Sequence, residues 1–296
     1  MQRTKKSCRH AFFLLLLFVT GCAAANPPDF KTTEIKFVSE GVSLAGTVFT
    51  PGHIQAAVVI VHGSGQEKRM TAFATTLAKN GIAVLTYDKR GVGESGGLYA
   101  GPEVGTNNID FQNLNLLSLD ASAAVNTLSQ FLSNDQVPIG LIGASQAGWI
   151  IPLAAAKNTK VRFMTVFSGA LITAKEQLRF QFYTNGDQNF WETHSEEEAR
   201  KHVFHDPDKY EFIDTNPYDI LSKLSIPGLW IYGGKDIQVP ANLSIEYLDK
   251  LKVKGKQYDY KLFPDLGHNT AFSDSETPMK DAIDWMKNIA KLKDHK

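Results

Sequence analysis

The sequence predicts an α/β fold, with a mostly parallel central sheet flanked by helices and a small helical cap. Three observations carry this expectation. Short apolar runs such as Ala57–Val61 and Ile82–Tyr87 are continuous instead of alternating, as strands buried on both faces must be. They alternate along the chain with longer segments of helical spacing, the order that builds a parallel sheet. The chain has 296 residues, 43% hydrophobic and 21% charged, enough to bury one large core or two small ones.

Taken in order, Ile35–Val38 and Leu44–Phe49 flank Glu40-Gly41 and read as an opening hairpin. Ala57–Val61 is a strand, Met70–Lys79 a helix and Ile82–Tyr87 a strand. Leu114–Leu132 is a long amphipathic helix, with Leu116, Leu117, Ala121, Ala124, Val125, Leu128 and Leu132 on one side. Pro138–Ile142, Ala147–Ala156 and Val161–Phe167 read as strand, helix and strand. Pro152 lies inside that helix, where it removes a hydrogen bond downstream of the turn that matters below. From Ala170 to Leu224 the chain turns aromatic and charged and loses strand periodicity, so it reads as a helical insertion over the sheet. The core resumes with a strand at Gly228–Tyr232, a helix near Pro240–Leu251, a strand at Tyr258–Phe263 and a closing helix, Pro278–Leu292.

The N-terminus is a different kind of segment. Arg3, Lys5, Lys6 and Arg9 precede the apolar run Ala11–Val19, too short to span a bilayer as a helix but suited to a secretory signal. The run ends in Val19-Thr20-Gly21-Cys22, which resembles the lipobox of bacterial lipoproteins. That resemblance implies cleavage before Cys22 and lipidation of its thiol. An ordinary signal peptide with an unrelated cysteine is the alternative. The domain expectation is a signal peptide over 1–21, a tether over 22–33, and a body over 34–296 with a cap insertion at about 170–225. Only Cys8 and Cys22 occur, so a processed body has no disulfide and no thiol nucleophile. The resemblance places the protein in the bacterial cell envelope, held to the membrane through lipid on Cys22. Ala23, in place of aspartate, directs it to the outer membrane if the cell has one.

The chemistry concentrates at three places. The strand Pro138–Ile142 runs into Gly143-Ala144-Ser145-Gln146-Ala147-Gly148, and a helix follows. A nucleophile at a sharp strand-to-helix turn needs small neighbours, and the first N–H groups of the helix are free to stabilise an oxyanion. A serine hydroxyl needs a base to take its proton. His268, in Pro264-Asp265-Leu266-Gly267-His268-Asn269, follows the last strand. The imidazole needs a carboxylate to fix its tautomer. Asp236, in Gly233-Gly234-Lys235-Asp236, follows the penultimate strand. Singly, each has a plain structural reading: a glycine-rich turn, a surface histidine, an N-cap aspartate. Together and in this order they make a triad.

This arrangement resembles the α/β-hydrolase superfamily, whose elbow is usually Gly-x-Ser-x-Gly and whose triad runs Ser, Asp, His. Ala147 stands where the last glycine is usual. His62-Gly63-Ser64-Gly65 resembles the family's His-Gly-x-Gly loop, which implies oxyanion-hole donors from the backbone of Ser64, or Gly65, and of Gln146. His62 then orients the loop and is not a base. Asp88-Lys89-Arg90-Gly91-Val92-Gly93-Glu94-Ser95 resembles a further family signature, with Asp88 and Arg90 bracing a turn. It lacks the ending of a phosphate loop. The resemblance covers about Ile35 to Leu292 and lies nearest to bacterial carboxylesterases, alongside peptidase-like relatives. It implies a serine hydrolase that acts on a small-molecule acyl substrate through an acyl-enzyme on Ser145 and uses no cofactor or metal. The expected substrate is a small to medium acyl ester, because a cap limits the entrance. An amidase or peptidase, a thioesterase, or a non-catalytic binding lipoprotein on the same scaffold are the alternatives.

Other signals read as structural. His194, His202 and His205 with Asp206 and Asp208 suit a polar helix surface better than a zinc site. The cap aromatics suit packing, with one or two rings reaching the pocket, and Glu196–Glu198 suits a solvated helix face. Asn242-Leu243-Ser244 is a chance sequon. Net charge is zero overall, and residues 1–21 carry four bases and no acid, so the remainder is mildly acidic and offers no footprint for nucleic acid.

Overall fold

The computed structural model describes residues 30–134 and 136–291. The chain opens with β1 (Phe30–Ser39) and β2 (Val42–Pro51), paired antiparallel across Glu40 and Gly41. Both turn residues have positive φ, +47° and +73°, which matches the twist of a two-residue hairpin. β1 begins at Phe30, inside the stretch assigned above to the tether. The ring of Phe30 packs on Phe49, 5.6 Å between centroids, so the strand gains apolar cover from its first residue.

Then follow β3 (Ala56–Val61), α1 (Thr71–Lys79), β4 (Ile82–Tyr87), α2 (Phe111–Leu132), β5 (Ile139–Ala144), α3 (Ala147–Lys157) and β6 (Val161–Phe167). The long helix starts three residues before its apolar pattern does. Asp110 caps it by accepting the Gln112 N–H at 2.7 Å, a local polar signal outside the hydrophobic periodicity. Four helices come next, α4 (Ala174–Thr184), α5 (Phe190–Thr193), α6 (Glu196–His205) and α7 (Pro217–Leu221). Capping boxes at Thr173/Glu176 and Ser195/Glu198 start α4 and α6, so Glu198 of the acidic run has a cap role. The chain closes with β7 (Gly228–Gly233), α8 (Ala241–Val253), β8 (Tyr258–Phe263) and α9 (Thr277–Lys291).

The eight strands lie in the order β1-β2-β4-β3-β5-β6-β7-β8. β2 pairs antiparallel with β4, and every pairing from β4 to β8 is parallel. The continuous apolar runs alternate between two cores, as a pleat demands. Ala57, Val59 and Val61 face the core under α2, α3, α8 and the cap, whereas Ala56, Val58 and Ile60 face the core under α1 and α9. The fold is thus the α/β sandwich expected, with the carboxyl ends of β3, β5, β7 and β8 opening toward one edge. Among the described residues no helix is long and apolar enough to cross a membrane. The apolar run Ala11–Val19 and Cys22 lie outside the described residues.

Candidate active site

Ser145 stands between the end of β5 and the start of α3 with φ +56°, a left-handed conformation that costs a non-glycine residue ~1–3 kcal/mol. The surrounding structure holds it there. Its N–H donates to Phe167 O at 2.9 Å, and its carbonyl accepts the Gly148 N–H at 2.8 Å. A Cβ on Gly143 would lie 2.4 Å from Val61 O and 2.6 Å from Ala147 Cβ. The bare Gly143 therefore makes room for the methyl of Ala147, and the departure at that position fits sterically.

Asp236 is buried behind β7. One carboxylate oxygen, Oδ1, accepts the Gln238 and Val239 N–H groups at 2.7 and 2.9 Å; the other, Oδ2, lies 2.8 Å from His268 Nδ1. An ionised carboxylate only accepts, so Nδ1 carries a proton and Nε2 of neutral His268 offers its lone pair. Gly233 and Gly234 bring the two loops together. A Cβ on Gly233 would sit 2.1 Å from Gly267 O, and one on Gly234 would sit 2.7 Å from Pro264 O. Backbone bonds from Gly234 to Phe263 O and from Lys235 to Leu266 O, 2.9 and 2.8 Å, close the seam.

The cap anchors this acid loop. Trp191 Nε1 donates to Asp236 O at 2.9 Å, Thr184 Oγ1 to Ile237 O at 2.7 Å, and Gln177 Nε2 to Gln238 O at 2.7 Å. Three cap side chains thus hold three consecutive carbonyls.

Ser145 and His268 line one cavity of about 200 Å3, together with Gly63, Ser64, Glu67, Phe73, Gln238 and Phe272. No hydrogen bond joins Ser145 Oγ to the imidazole among the described residues. Such bonds are often long in the unliganded state and tighten in the complex. The cap contributes no side chain to this cavity. Its rings instead stack on one another, Phe180 on Trp191 and Phe190 on His194, with His202 on Tyr183 at 3.6 Å. The expectation that cap rings reach the pocket is corrected: the insertion folds over the acid loop, and the pocket walls come from Phe73 and the 3-10 turn Thr270–Phe272. Past Phe73, Ala271 and Phe272 lies a second, open cleft of about 600 Å3 that runs between α1 and α9.

Ser64 is exposed and lines the cavity. The backbone N–H groups of Ser64, Gly65 and Gln146 donate to no protein group among the described residues, as an oxyanion site requires. The Gln146 side chain is buried and bonds to Asn108 O at 2.8 Å and Lys89 Nζ at 3.3 Å. His62 is buried, with Nε2 donating to Tyr87 O at 2.6 Å, and burial pushes its pKa down to about 3. It is neutral and orients its loop. Asp88 accepts the backbone N–H groups of Arg69 and Glu94 at 2.8 and 2.9 Å, and Arg90 pairs with the fully buried Asp120, so the 88–95 segment braces its turn.

Several residues at the site carried no sequence signal. Glu67 accepts the Gly63 N–H at 2.8 Å and faces the cavity, and Gln238 and Phe272 line it. Lys89, in the middle of the Asp88–Ser95 segment, is 2% exposed.

Comparison with known proteins adds three findings. The family described as serine aminopeptidase, S33 matches residues 52–219, more than half of the chain. Among solved structures, the acylaminoacyl peptidase of Pyrococcus horikoshii is similar at TM-score 0.62 and 16% identity, over 89% of this chain and 41% of that one. This chain therefore spans less than half the length of that peptidase. An esterase of Pyrococcus furiosus matches at TM-score 0.61 and 17% identity, over 88% of this chain and 89% of that one. A cold-adapted esterase from an Arctic intertidal metagenomic library matches at 0.56 and 13%, over 89% and 96%. Likenesses at these identities speak to the fold. A comparison with curated proteins finds no match.

Proposed function

We propose that this chain, which belongs to the serine aminopeptidase S33 family of serine hydrolases, cleaves carboxylic esters of small to medium acyl groups through an acyl-enzyme on Ser145. The observation that carries the reading is the His268–Asp236 bond of 2.8 Å at a cavity that also holds Ser145 on its strained turn. In the proposed cycle Ser145 Oγ attacks the ester carbonyl while His268 Nε2 takes its proton. Asp236 fixes the tautomer and stabilises the imidazolium. The backbone N–H groups of Ser64 and Gln146 receive the oxyanion. His268 then protonates the departing alcohol, and water repeats the sequence to release the acid. No step calls on a metal or organic cofactor.

The size of the acyl group follows from the cavity at Ser145, and the cap reaches only the adjoining open cleft at His268, through Gln188. A volume of about 200 Å3 bounded by Phe73 and Phe272 takes a short acyl chain. A second reading has one observation in its favour: Glu67 is a carboxylate on the cavity wall, suited to a substrate ammonium and hence to aminoacyl amides. Turnover of short acyl esters and aminoacyl amides, by wild type and Ser145→Ala, separates the two. Faster amide hydrolysis by a large factor replaces the ester reading, and the Ser145→Ala variant is inactive on either. Thioesters belong in the same panel. If Cys22 is lipidated as proposed, the protein partitions into detergent from a bacterial envelope fraction, and Cys22→Ser releases it.

A further inference from the structure

Lys89 follows β4 and is buried, yet no step above uses it. Its ammonium has three protons and finds three acceptors: Gly63 O at 2.6 Å, Gly65 O at 3.2 Å and Gln146 Oε1 at 3.3 Å. Two of these belong to the loop after β3 and the third to the residue after Ser145. Those are the two segments assigned to the oxyanion hole. Gly63 C=O and Ser64 N–H are opposite ends of one peptide group. A cation on the carbonyl draws electron density toward the oxygen and makes the N–H a stronger donor, the cooperative effect of chained hydrogen bonds. The next carbonyl, Ser64 O, lies 2.9 Å from Tyr99 OH, whose one proton it shares with Glu103 Oε2 at 3.0 Å, and 3.3 Å from Asn108 Nδ2. Asn108 O in turn accepts from Gln146 Nε2 at 2.8 Å, which closes the network.

We propose that Lys89 is a positioning residue that ties the Gly63–Gly65 loop to Gln146 and polarises the Ser64 N–H, so that the oxyanion hole is set only while the ammonium is charged. The proposal rests on the reading of Ser145, Ser64 and Gln146 above. A neutral amine has two protons and a lone pair, and the lone pair would face one of three oxygens, so the tie loosens on deprotonation. Burial lowers the Lys89 pKa to about 8, opposed by Glu67 and Glu103. The other groups around it are accounted for. His62 is neutral, the Asp88 carboxylate is occupied by Arg69 and the Glu94 N–H, and the Tyr99 ring lies 5.5 Å from Nζ with its hydroxyl raised to about 12.

The experiment measures kcat and KM for a neutral short acyl ester from pH 6 to 10, with the rate of Ser145 phosphonylation, in wild type, Lys89→Met and Lys89→Gln. Circular dichroism at each pH confirms the fold. Wild-type kcat falls above about pH 8. Lys89→Met lowers kcat ~10- to 100-fold at pH 7, less than the ~100-fold or more for deleting a donor outright. Its KM stays within about threefold, and its alkaline limb is gone. Should Lys89→Met fail to fold, Lys89→Gln, whose uncharged amide can still reach a loop carbonyl, replaces it and shows the same lowered kcat and the same lost alkaline limb. A folded wild type with flat kcat to pH 9.5, an alkaline limb retained by Lys89→Met, or unchanged kcat in either folded variant overturns the proposal. Absence of phosphonylation in wild type overturns the Ser145 reading instead, so the two failures are distinct.

Discussion

Replacing Asp236 by asparagine changes one atom and should disable the base without unfolding the protein. The carboxylate makes three bonds: Oδ1 to the N–H groups of Gln238 and Val239, and Oδ2 to His268 Nδ1 at 2.8 Å. In Asp236→Asn the amide oxygen keeps the two backbone bonds, so the amide NH2 is turned to the imidazole. Nδ1 must then accept, the proton moves to Nε2, and the lone pair that would take the Ser145 proton disappears. In enzymes with this arrangement the wrong tautomer costs ~10^4 in kcat, or about 5 kcal/mol at 1.36 kcal/mol per tenfold. KM changes little, because Asp236 lies behind the imidazole and away from the cavity. Asp236→Ala should match that kinetic loss but differ in stability. It leaves the buried Val239 N–H without a partner, at a cost of about 1–3 kcal/mol, while Asn does not. Steady-state kinetics on a short acyl ester and urea unfolding of both variants supply the readout. If Asp236→Asn keeps more than a tenth of wild-type kcat, another group orients His268 and the assignment is wrong.

Three further outcomes follow from the same structure. His62 is neutral when folded, with its pKa lowered from 6.5 to about 3 by burial, so the unfolded chain binds the extra proton first. Stability is therefore complete above pH 6.5 and declines as pH falls toward 3; urea unfolding at pH 7 and pH 4 should show roughly 3 kcal/mol of loss from this residue, and His62→Gln flattens the slope. Arg90→Met strands the fully buried Asp120 without its cation and should destabilise by about 3–5 kcal/mol in the same unfolding assay. Phe272→Ala removes the ring that stands on Phe73 at 5.5 Å and separates the cavity from the cleft beyond, so kcat/KM should shift toward longer acyl chains across an ester series.

The inner strands were legible because burial on both faces leaves continuous apolar runs, as at Ile82–Tyr87, which agrees with the sequence reading at both ends; Tyr258–Phe263 at the sheet edge also agrees at both ends, although most of it is exposed or half-buried. Helix starts were less so, since α2 begins at a cap residue, Asp110, and not at its apolar stripe. The loops that carry Ser145, Asp236 and His268 showed themselves through glycines whose missing Cβ atoms let backbones meet, as Gly233 does against Gly267. Lys89 did not, because a lysine between Asp88 and Arg90 in a glycine turn has the pattern of a solvated loop. Its burial comes from segments 26 and 57 residues away that fold over it. The cap was recognisable as an insertion by composition, but where it lands depends on Trp191, Thr184 and Gln177 finding the carbonyls of the acid loop, and no local pattern encodes that.

The central claim is that the Ser145 hydroxyl is the nucleophile. Incubation of the folded protein with a fluorophosphonate, followed by peptide mass spectrometry, tests it most directly. The account predicts a single phosphonyl adduct on Ser145 with matching loss of esterase activity, and no adduct in Ser145→Ala. An adduct on another residue, or none at all on an active enzyme, would contradict it.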